Sequence, residues 1–428
     1  MTEAAIDVPG LIGTTYALVN LGCKVNRVES DGFERLLQRT GFRPVEDGVP
    51  ASLVVVNTCT VTGEAEKKTR KAVRQALRSH PGALVMVTGC AAAISPEVFS
   101  LMDGRVQVVP KAEADLFLGK LSAVSGHKAA SAVAPAEGLA GAFDGPAELS
   151  RTRRGVKVQD GCNNACTYCI VHVARGKATS RPADEVLRDS LALAEGGAGE
   201  VVLSGINLGS YDWEGMKLAD LLLRLLAATE GQAVRFRISS IEPMDVDDAL
   251  VELLAASGGR VCRHLHLPLQ SGSSKVLGEM ERPYGADEFL CLVERLYRAC
   301  PTLSLSTDII AGFPGETDGE FQETLEMARA CRFSKIHAFP YSQREGTPAA
   351  VRADQVAPEV KTARARQLRQ LAAQLRCEDF ARRIGTEELA VVEEPGRACT
   401  ESYYEIPVPQ GLNPGELVKT TIPATFLA

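Results

Sequence analysis

The sequence predicts an α/β protein in three parts: an N-terminal open parallel sheet, a central partial (β/α)6 barrel and a C-terminal small β-barrel. Three observations carry that expectation. Three short apolar runs in the first hundred residues each end in a cysteine, with helical patterns between them. From residue 155 six more β-type runs alternate with helical stretches. After Gly385 the alternation stops, and short β-type runs split by Gly and Pro take over. With 428 residues, 45% hydrophobic and 24% charged, the chain has the length and composition of an ordinary globular protein of two or three domains.

The first runs are YALVNLGC, SLVVVNTC and ALVMVTGC. Each reads as a buried parallel strand. VESDGFERLLQRTG and EAEKKTRKAVRQALRSHPG, between them, read as helices, the second closed by a Pro-Gly stop. In the resulting open sheet, ligands collect at the carboxyl ends of the strands. Cys23, Cys59 and Cys90 fall at that edge, one per strand. Taken singly, each reads as a small buried hydrophobe; three at equivalent strand ends read as metal ligands. This domain is placed at 14–122, and an Ala-, Gly- and Ser-rich linker with some helix at its start follows at 123–150.

The central strands are VKVQDGC, EVVLSGIN, VRFRISSIEP, HLHLPLQS, LSLSTDIIAGFP and KIHAFPYS. Six βα units fall short of the eight in a complete barrel and fit a partial one, with its site at the C-terminal strand ends. This part is placed at 151–384 and closes with the basic helix EVKTARARQLRQLAAQLR. The tail, 385–428, holds ELAVVEE, ESYYEIPVP and ELVKTTI, which suggest the small β-barrel.

No apolar run approaches the roughly 20 residues of a membrane span. The acidic start MTEAAIDVPG lacks the basic and apolar regions of a secretory signal, which points to the cytoplasm. In that reducing compartment, twelve cysteines are not a disulfide framework, so metal ligation is the better general account. A net charge of −7 argues against whole-molecule attraction to nucleic acid. Any RNA contact must come from the local segments RTRRGVK, KKTRKAVRQALR and KTARARQLRQLAAQLR, each of which also reads as a solvated face.

The chemistry concentrates in DGCNNACTYCIVHVARG, residues 160–176, where Cys162, Cys166 and Cys169 form a C-x3-C-x2-C run. Zinc would want a fourth ligand, which His172 supplies. An iron–sulfur cube held by three thiolates instead leaves one iron open. Such an iron can chelate the amino and carboxylate groups of S-adenosylmethionine and deliver an electron to its sulfonium, making a carbon radical.

CNNACTYC, with Tyr168 before the third cysteine, resembles the signature of the radical S-adenosylmethionine superfamily. Together with LGCKVNRVES, NTCTVT and TGC, it resembles the methylthiotransferase family across nearly the whole chain. The resemblance implies a flavodoxin-like N-terminal domain, a radical-SAM barrel and a TRAM-like β-barrel. It also implies two 4Fe-4S clusters, one on Cys162, Cys166 and Cys169 that binds S-adenosyl-L-methionine and one on Cys23, Cys59 and Cys90 that handles sulfur. One S-adenosylmethionine would methylate sulfur; a second would yield the radical that removes hydrogen from carbon, where the methylthio group is then inserted.

By the same resemblance, Ser204 and Gly205 in LSGINLGSY would contact the methionine amino group. Ser239, Glu242 and Gln270 would lie near ribose or substrate, and Asp308 near adenine. Each also reads as a polar strand-end residue that caps a following helix.

GCKVN, NTCTVT and HAFPYSQREGTPAA look like the threonylcarbamoyl-adenosine branch of the family, rather than the isopentenyl-adenosine or ribosomal-protein branches. The implied partners are a tRNA anticodon loop, whose single-stranded base can be splayed into a pocket, an electron donor such as flavodoxin or ferredoxin, and a sulfur donor. Against RNA stands the tail, where residues 386–428 hold seven Glu against Arg397 and Lys419. An acidic tail suits a basic protein substrate better, or else a lid role. Cys262, Cys291, Cys300, Cys331, Cys377 and Cys399 show no paired spacing and read as core or incidental. His264 and His266 alternate on one strand and must face the same side; His266 either lines the barrel mouth or, as the favoured account, is a hydrogen-bonded structural histidine.

Overall fold

The computed structural model describes residues 13–60, 63–124 and 152–427. Most of the expected linker, 125–150, lies outside these. Two compact units form: the described part of Met1–Leu139 with Ile170–Gly176, and the described part of Ala140–Cys169 with Lys177–Ala428.

In the first unit the three expected strands are Thr15–Asn20, Leu53–Thr58 and Leu84–Gly89, joined by edge strands Arg43–Pro44 and Val106–Val108. All pairs are parallel. The order is 2-1-3-4-5, that of a flavodoxin-like sheet. Leu53 and Val55 pack on one face with Phe33, Leu37 and Phe117. Val54 and Val56 pack on the other with Val73, Ala76 and Phe99. A strand covered on both faces needs apolar residues at both parities, which is why these runs are continuous rather than alternating.

In the second unit six parallel strands follow one another in chain order: Arg153–Lys157, Glu200–Ser204, Arg235–Ile238, His264–His266, Ser304–Ala311 and Lys335–Pro340. A bridge from Phe236 to Val261 joins the first three to the last three. Val201, Leu203, Phe236, Leu265, Leu305, Ile309 and Ile336 belong to the core shared with the surrounding helices. Residues of the other parity, Glu200, Ser204, Arg235, Arg237, Ser239, His266, Asp308 and His337, therefore line the interior.

The tail folds as an antiparallel sheet in the order Glu405–Pro407, Arg397–Thr400, Glu387–Glu394, Leu417–Thr421. The expected small barrel is thus an open four-stranded sheet among the described residues, and the Pro- and Gly-rich stretch 407–415 keeps its third connection irregular. Its strand Arg397–Thr400 was hidden in the short, mixed sequence RACT.

This sheet docks at the starts of the barrel strands through buried charge. Glu200, first in its strand, accepts from Arg235 Nη2 at 2.6 Å and from Arg237 Nε at 2.7 Å, all three side chains being fully buried. The guanidiniums also donate to carbonyls of the tail: Arg235 Nη2 to Cys399 O at 2.9 Å, and Arg237 Nη1 to Glu401 O at 2.6 Å. Arg237 lies 3.8 Å from the Tyr403 ring centre. Glu401 is bonded to Arg263 at 2.6 and 2.9 Å, Glu388 to Arg383 at 3.2 Å and Glu393 to Arg153 at 2.7 Å. Much of the tail's acidity is therefore consumed in seating it. The sheet lies at the strand starts, so it is no lid over the opposite, carboxyl ends. Among the described residues no helix is long and apolar enough to cross a membrane.

Glu200→Ala would leave two buried guanidiniums without their counter-charge. We expect it to lower the unfolding free energy by about 3–5 kcal/mol, read from urea unfolding of this unit's fluorescence. Burial alone would raise the Glu200 carboxyl, but Arg237 and Arg235 outweigh it and hold it well below the usual range. Its stabilisation should accordingly be complete above the ordinary glutamate pKa and be lost as pH falls below it; an acid limb unchanged in Glu200→Ala would contradict this.

Candidate functional site

In the first unit, register brings the strand ends level. Asn20 pairs with Asn57, and Thr58 with Gly89. Cys23, Cys59 and Cys90 follow directly at the sheet's carboxyl edge, the first two flanking the switch point between strands one and three. Cys23 is exposed, while Cys59 and Cys90 are buried. The glycine before Cys23 has a packing cause: at φ +111°, a Cβ on Gly22 would lie 2.6 Å from Cys59 Cβ. Gly89, before Cys90, sits at φ +94°, where a Cβ would meet Thr58 O at 2.6 Å.

A polar lattice holds these loops. The fully buried Asn26 donates to Leu21 O at 2.9 Å and to Thr58 O at 2.8 Å. Thr69 Oγ1 donates to Cys59 O at 3.1 Å. Arg175, from the short helix Val171–Arg175 of the same unit, reaches Asn26 Oδ1 and bonds Glu29 at 3.2 Å, with its side chain 1% exposed. Burial pushes the Cys90 thiol up; Arg175 opposes this, and Cys23 is close enough to add to it.

In the second unit, Cys162, Cys166 and Cys169 lie on the loop after Gln159–Asp160. Thr167 pins that loop: its N–H donates to Met280 O at 3.1 Å and its hydroxyl to Glu279 O at 2.9 Å. Arg282 Nη1 donates to Cys166 Sγ at 3.1 Å, and the same guanidinium pairs with Glu242 and with the Tyr284 hydroxyl. Burial pushes the Cys162 thiol up, against the Asn164 N–H that bonds its sulfur. Ligation needs the thiolate, and each triad has one buried arginine beside it that favours negative charge.

The other expected residues gather nearby. Ser204 and Ser239 end adjacent strands, both hydroxyls buried with no hydrogen-bond partner among the described residues. Gly205 has no room for a side chain, since a Cβ would lie 2.9 Å from Leu208 and 3.0 Å from Gln159. Gln270 adopts φ +66°, a strained value for a non-glycine residue. Its N–H donates to Asp308 O at 2.9 Å. Tyr168 packs against the cluster of Val276, Met280, Phe313, Tyr341 and Ala349. The Asp308 carboxylate lies with His266 and His337.

Sequence reasoning missed Gln159, Asn207, Arg282 and Tyr284. Gln159 Oε1 accepts from the N–H groups of Ile206 and Asn207, both at 3.0 Å, while its amide donates to Asp160 O and Gly161 O, both at 2.8 Å. It therefore ties the cysteine loop to the glycine turn after Ser204. MERPY, which holds Arg282 and Tyr284, carries no spacing that singles it out.

A tetrahedral zinc ion at about 2.3 Å from its sulfurs would hold them about 3.8 Å apart. Among the described residues, the group of three or more His, Cys, Asp or Glu with ligand atoms within 4.8 Å of one another is His266, Asp308 and His337. Neither cysteine triad is drawn around a single ion. Three separated thiols on one loop or edge, beside an arginine, fit three irons of a cube.

Comparison with known proteins agrees. Residues 156–328 match the Radical SAM superfamily, and residues 15–110 match the Uncharacterized protein family UPF0004. Threonylcarbamoyladenosine tRNA methylthiotransferase MtaB of Bacillus subtilis (strain 168) is 38% identical, over 90% of this chain and 86% of the relative. The chain belongs to the radical S-adenosylmethionine methylthiotransferase family. The tRNA-2-methylthio-N(6)-dimethylallyladenosine synthase of Corynebacterium jeikeium, 35% identical over 90% of this chain and 77% of the relative, shows how alike its tRNA-modifying members are. The fold also matches the radical S-adenosylmethionine methyltransferase TsrM from Kitasatospora setae, with TM-score 0.55 at 16% identity, over 79% of this chain and 77% of that one. The cofactors of this methylthiotransferase are S-adenosylmethionine and 4Fe-4S clusters. The orphan hydroxyls of Ser204 and Ser239 fit a polar, donor-rich cofactor.

If the triads act independently, replacing Cys162, Cys166 and Cys169 together by Ala should remove about half the iron and sulfide of the anaerobically reconstituted protein. Loss of all or none of it, by chemical analysis, would contradict two separate clusters.

Proposed function

We propose that this methylthiotransferase converts threonylcarbamoyl-adenosine at position 37 of tRNA, next to the anticodon, to its 2-methylthio derivative. Cys162, Cys166 and Cys169 hold one 4Fe-4S cluster, and Cys23, Cys59 and Cys90 hold the other. When bound, the first cluster and S-adenosylmethionine supply a carbon-centred radical that can abstract hydrogen, and the second cluster supplies a site for sulfur. The observation that carries this reading is the pair of cysteine triads at the carboxyl edges of parallel strands, in a chain 38% identical to the Bacillus MtaB.

The chain's own residues hold the reactants. Arg282 steadies Cys166 and orients Glu242 toward the strand ends. Ser204, Gly205 and Ser239 form a shelf with two free hydroxyls for the polar groups of S-adenosylmethionine. Gln270, fixed in its left-handed conformation, and Tyr168 complete the cofactor wall. An electron donor such as flavodoxin or ferredoxin, and a sulfur donor, complete the system, which works in the cytoplasm beside its tRNA.

For RNA docking the helix Gly63–Ser79 is the best suited of the basic segments. Lys67, Lys71, Arg74 and Arg78 recur at helical spacing along one exposed stripe, and with Arg70 they line a surface hollow. In RTRRGVK, Arg153 is instead paired with Glu393 and Lys157 with Asp160. In the helix Pro358–Arg383, Arg364 is spent on Glu316 and Asp318. Because Glu388, Glu393, Glu401 and Glu405 of the tail face arginines of its own unit, its acidity favours a basic protein substrate less. The dimethylallyl-adenosine reading stays as the second one, supported by the Corynebacterium relative.

Nucleoside mass spectrometry of total tRNA from cells with and without this gene tests the substrate. We expect loss of the 2-methylthio form and accumulation of unmodified threonylcarbamoyl-adenosine; an unchanged profile would sink the assignment. Reversing Lys67, Lys71, Arg74 and Arg78 to Glu should weaken tRNA binding and flatten its salt dependence by up to about 0.9 in log–log slope per lost phosphate contact. Equal slopes for the two proteins would place the RNA elsewhere.

A further inference from the structure

The barrel interior holds a third group of metal-ligating side chains that neither cysteine triad uses. His266, Asp308 and His337 lie on three neighbouring strands, His264–His266, Ser304–Ala311 and Lys335–Pro340. In parallel register His266 is level with Ser306, and Asp308 with His337. Their chain neighbours Leu265, Ile309 and Ile336 are buried in the core toward the helices, so the period of two turns these three residues inward. One ligand atom from each falls within 4.8 Å of the others.

The spacing suits a shared ion better than a shared proton. His266 Nε2 stands 3.5 Å from Asp308 Oδ2, longer than the roughly 2.7–3.2 Å of an N–H···O hydrogen bond. Two ligands at about 2.0–2.1 Å from a tetrahedral ion are about 3.3–3.4 Å apart. The far side of the ring is already anchored: His266 Nδ1 lies 3.0 Å from Ser306 Oγ, which also lies 3.0 Å from His264 Nε2. With His266 Nδ1–H donating to Ser306 and the Ser306 hydroxyl donating to His264, the Nε2 lone pair points toward Asp308. Such a second hydrogen bond orients and tunes metal-ligating histidines. The His337 ring is 5.9 Å from that of His266 and stacks on Phe339 at 6.5 Å with a 19° tilt, which restrains it.

We infer that His266, Asp308 and His337 bind one divalent cation of the zinc class. Two imidazoles and a carboxylate suit such an ion and differ from the all-thiolate sets of the clusters. Three protein ligands leave one position open toward the barrel interior, where it takes an oxygen donor of the carboxylate or carbonyl class.

The test uses the full chain with both clusters reconstituted, incubated with zinc chloride and gel-filtered. About one zinc should remain per chain, and its X-ray absorption should show a nitrogen and oxygen shell at about 2.0–2.1 Å without sulfur at about 2.3 Å. Asp308→Asn and His337→Gln should each keep iron and sulfide while weakening zinc retention by more than the about 10- to 100-fold that an outer-shell change costs. No retained zinc, a sulfur-dominated shell, or retention by either variant equal to that of the unsubstituted protein would overturn the site. Since zinc content is the readout, the result stands whether or not the tRNA assignment does.

Discussion

Parallel strands paired in register end at a common level, and the chemistry of this chain depends on that constraint. In the first unit it sets Cys23, Cys59 and Cys90 along one sheet edge, although 36 and 31 residues of chain separate them. In the second it sets Ser204 beside Ser239, because Leu203 and Ile238 are paired neighbours just before them. Register is enforced by burial: slipping a strand by one residue would turn Leu53 and Val55 away from Phe33 and Leu37, and exchange them with Val54 and Val56. The packing of apolar residues on two faces thus determines where the sulfurs and hydroxyls emerge.

Arginine is the second organising element, in three settings. Beside the cysteines, Arg175 and Arg282 bring positive charge that opposes the rise burial gives the Cys90 and Cys162 thiols. At the barrel floor, Arg235 and Arg237 satisfy both a buried carboxylate and the carbonyls of the last sheet, a use that suits the five donors of a guanidinium. On the helix Gly63–Ser79 the cations are exposed and face solvent. The net charge of −7 conceals all three, since it averages buried pairs with an exposed stripe.

The elements were legible because each core strand is a short apolar run bounded by polar turns. All three N-terminal strands and five of the six barrel strands appear where the pattern put them; the first barrel strand, Arg153–Lys157, starts three residues before VKVQDGC, inside the basic segment RTRRGVK. The cysteine triads were legible because spacing and strand-end position repeat. What the sequence concealed is contact between distant, individually ordinary residues. Arg282 reaches Cys166 across 116 positions, and Gln159 reaches Asn207 across 48. The tail's glutamates suggested a basic protein substrate because the partners of Glu393, Glu401 and Glu388, namely Arg153, Arg263 and Arg383, lie on other elements. His337, three residues before the end of its strand, stands out only once its neighbours across the ladder are known.

The floor of the barrel bears on how the chain is made. Arg235 and Arg237 are synthesised more than 150 residues before the carbonyls of Cys399 and Glu401 that accept their hydrogen bonds. During vectorial translation the six strands and the cysteine loop can emerge while these guanidiniums still face water at an open floor. Only the later segment 387–421 closes it. That sheet is therefore a completion signal for the barrel: a chain cut short before residue 397 carries every candidate cluster ligand and Glu200, yet lacks the Cys399 and Glu401 carbonyls that share the two guanidiniums.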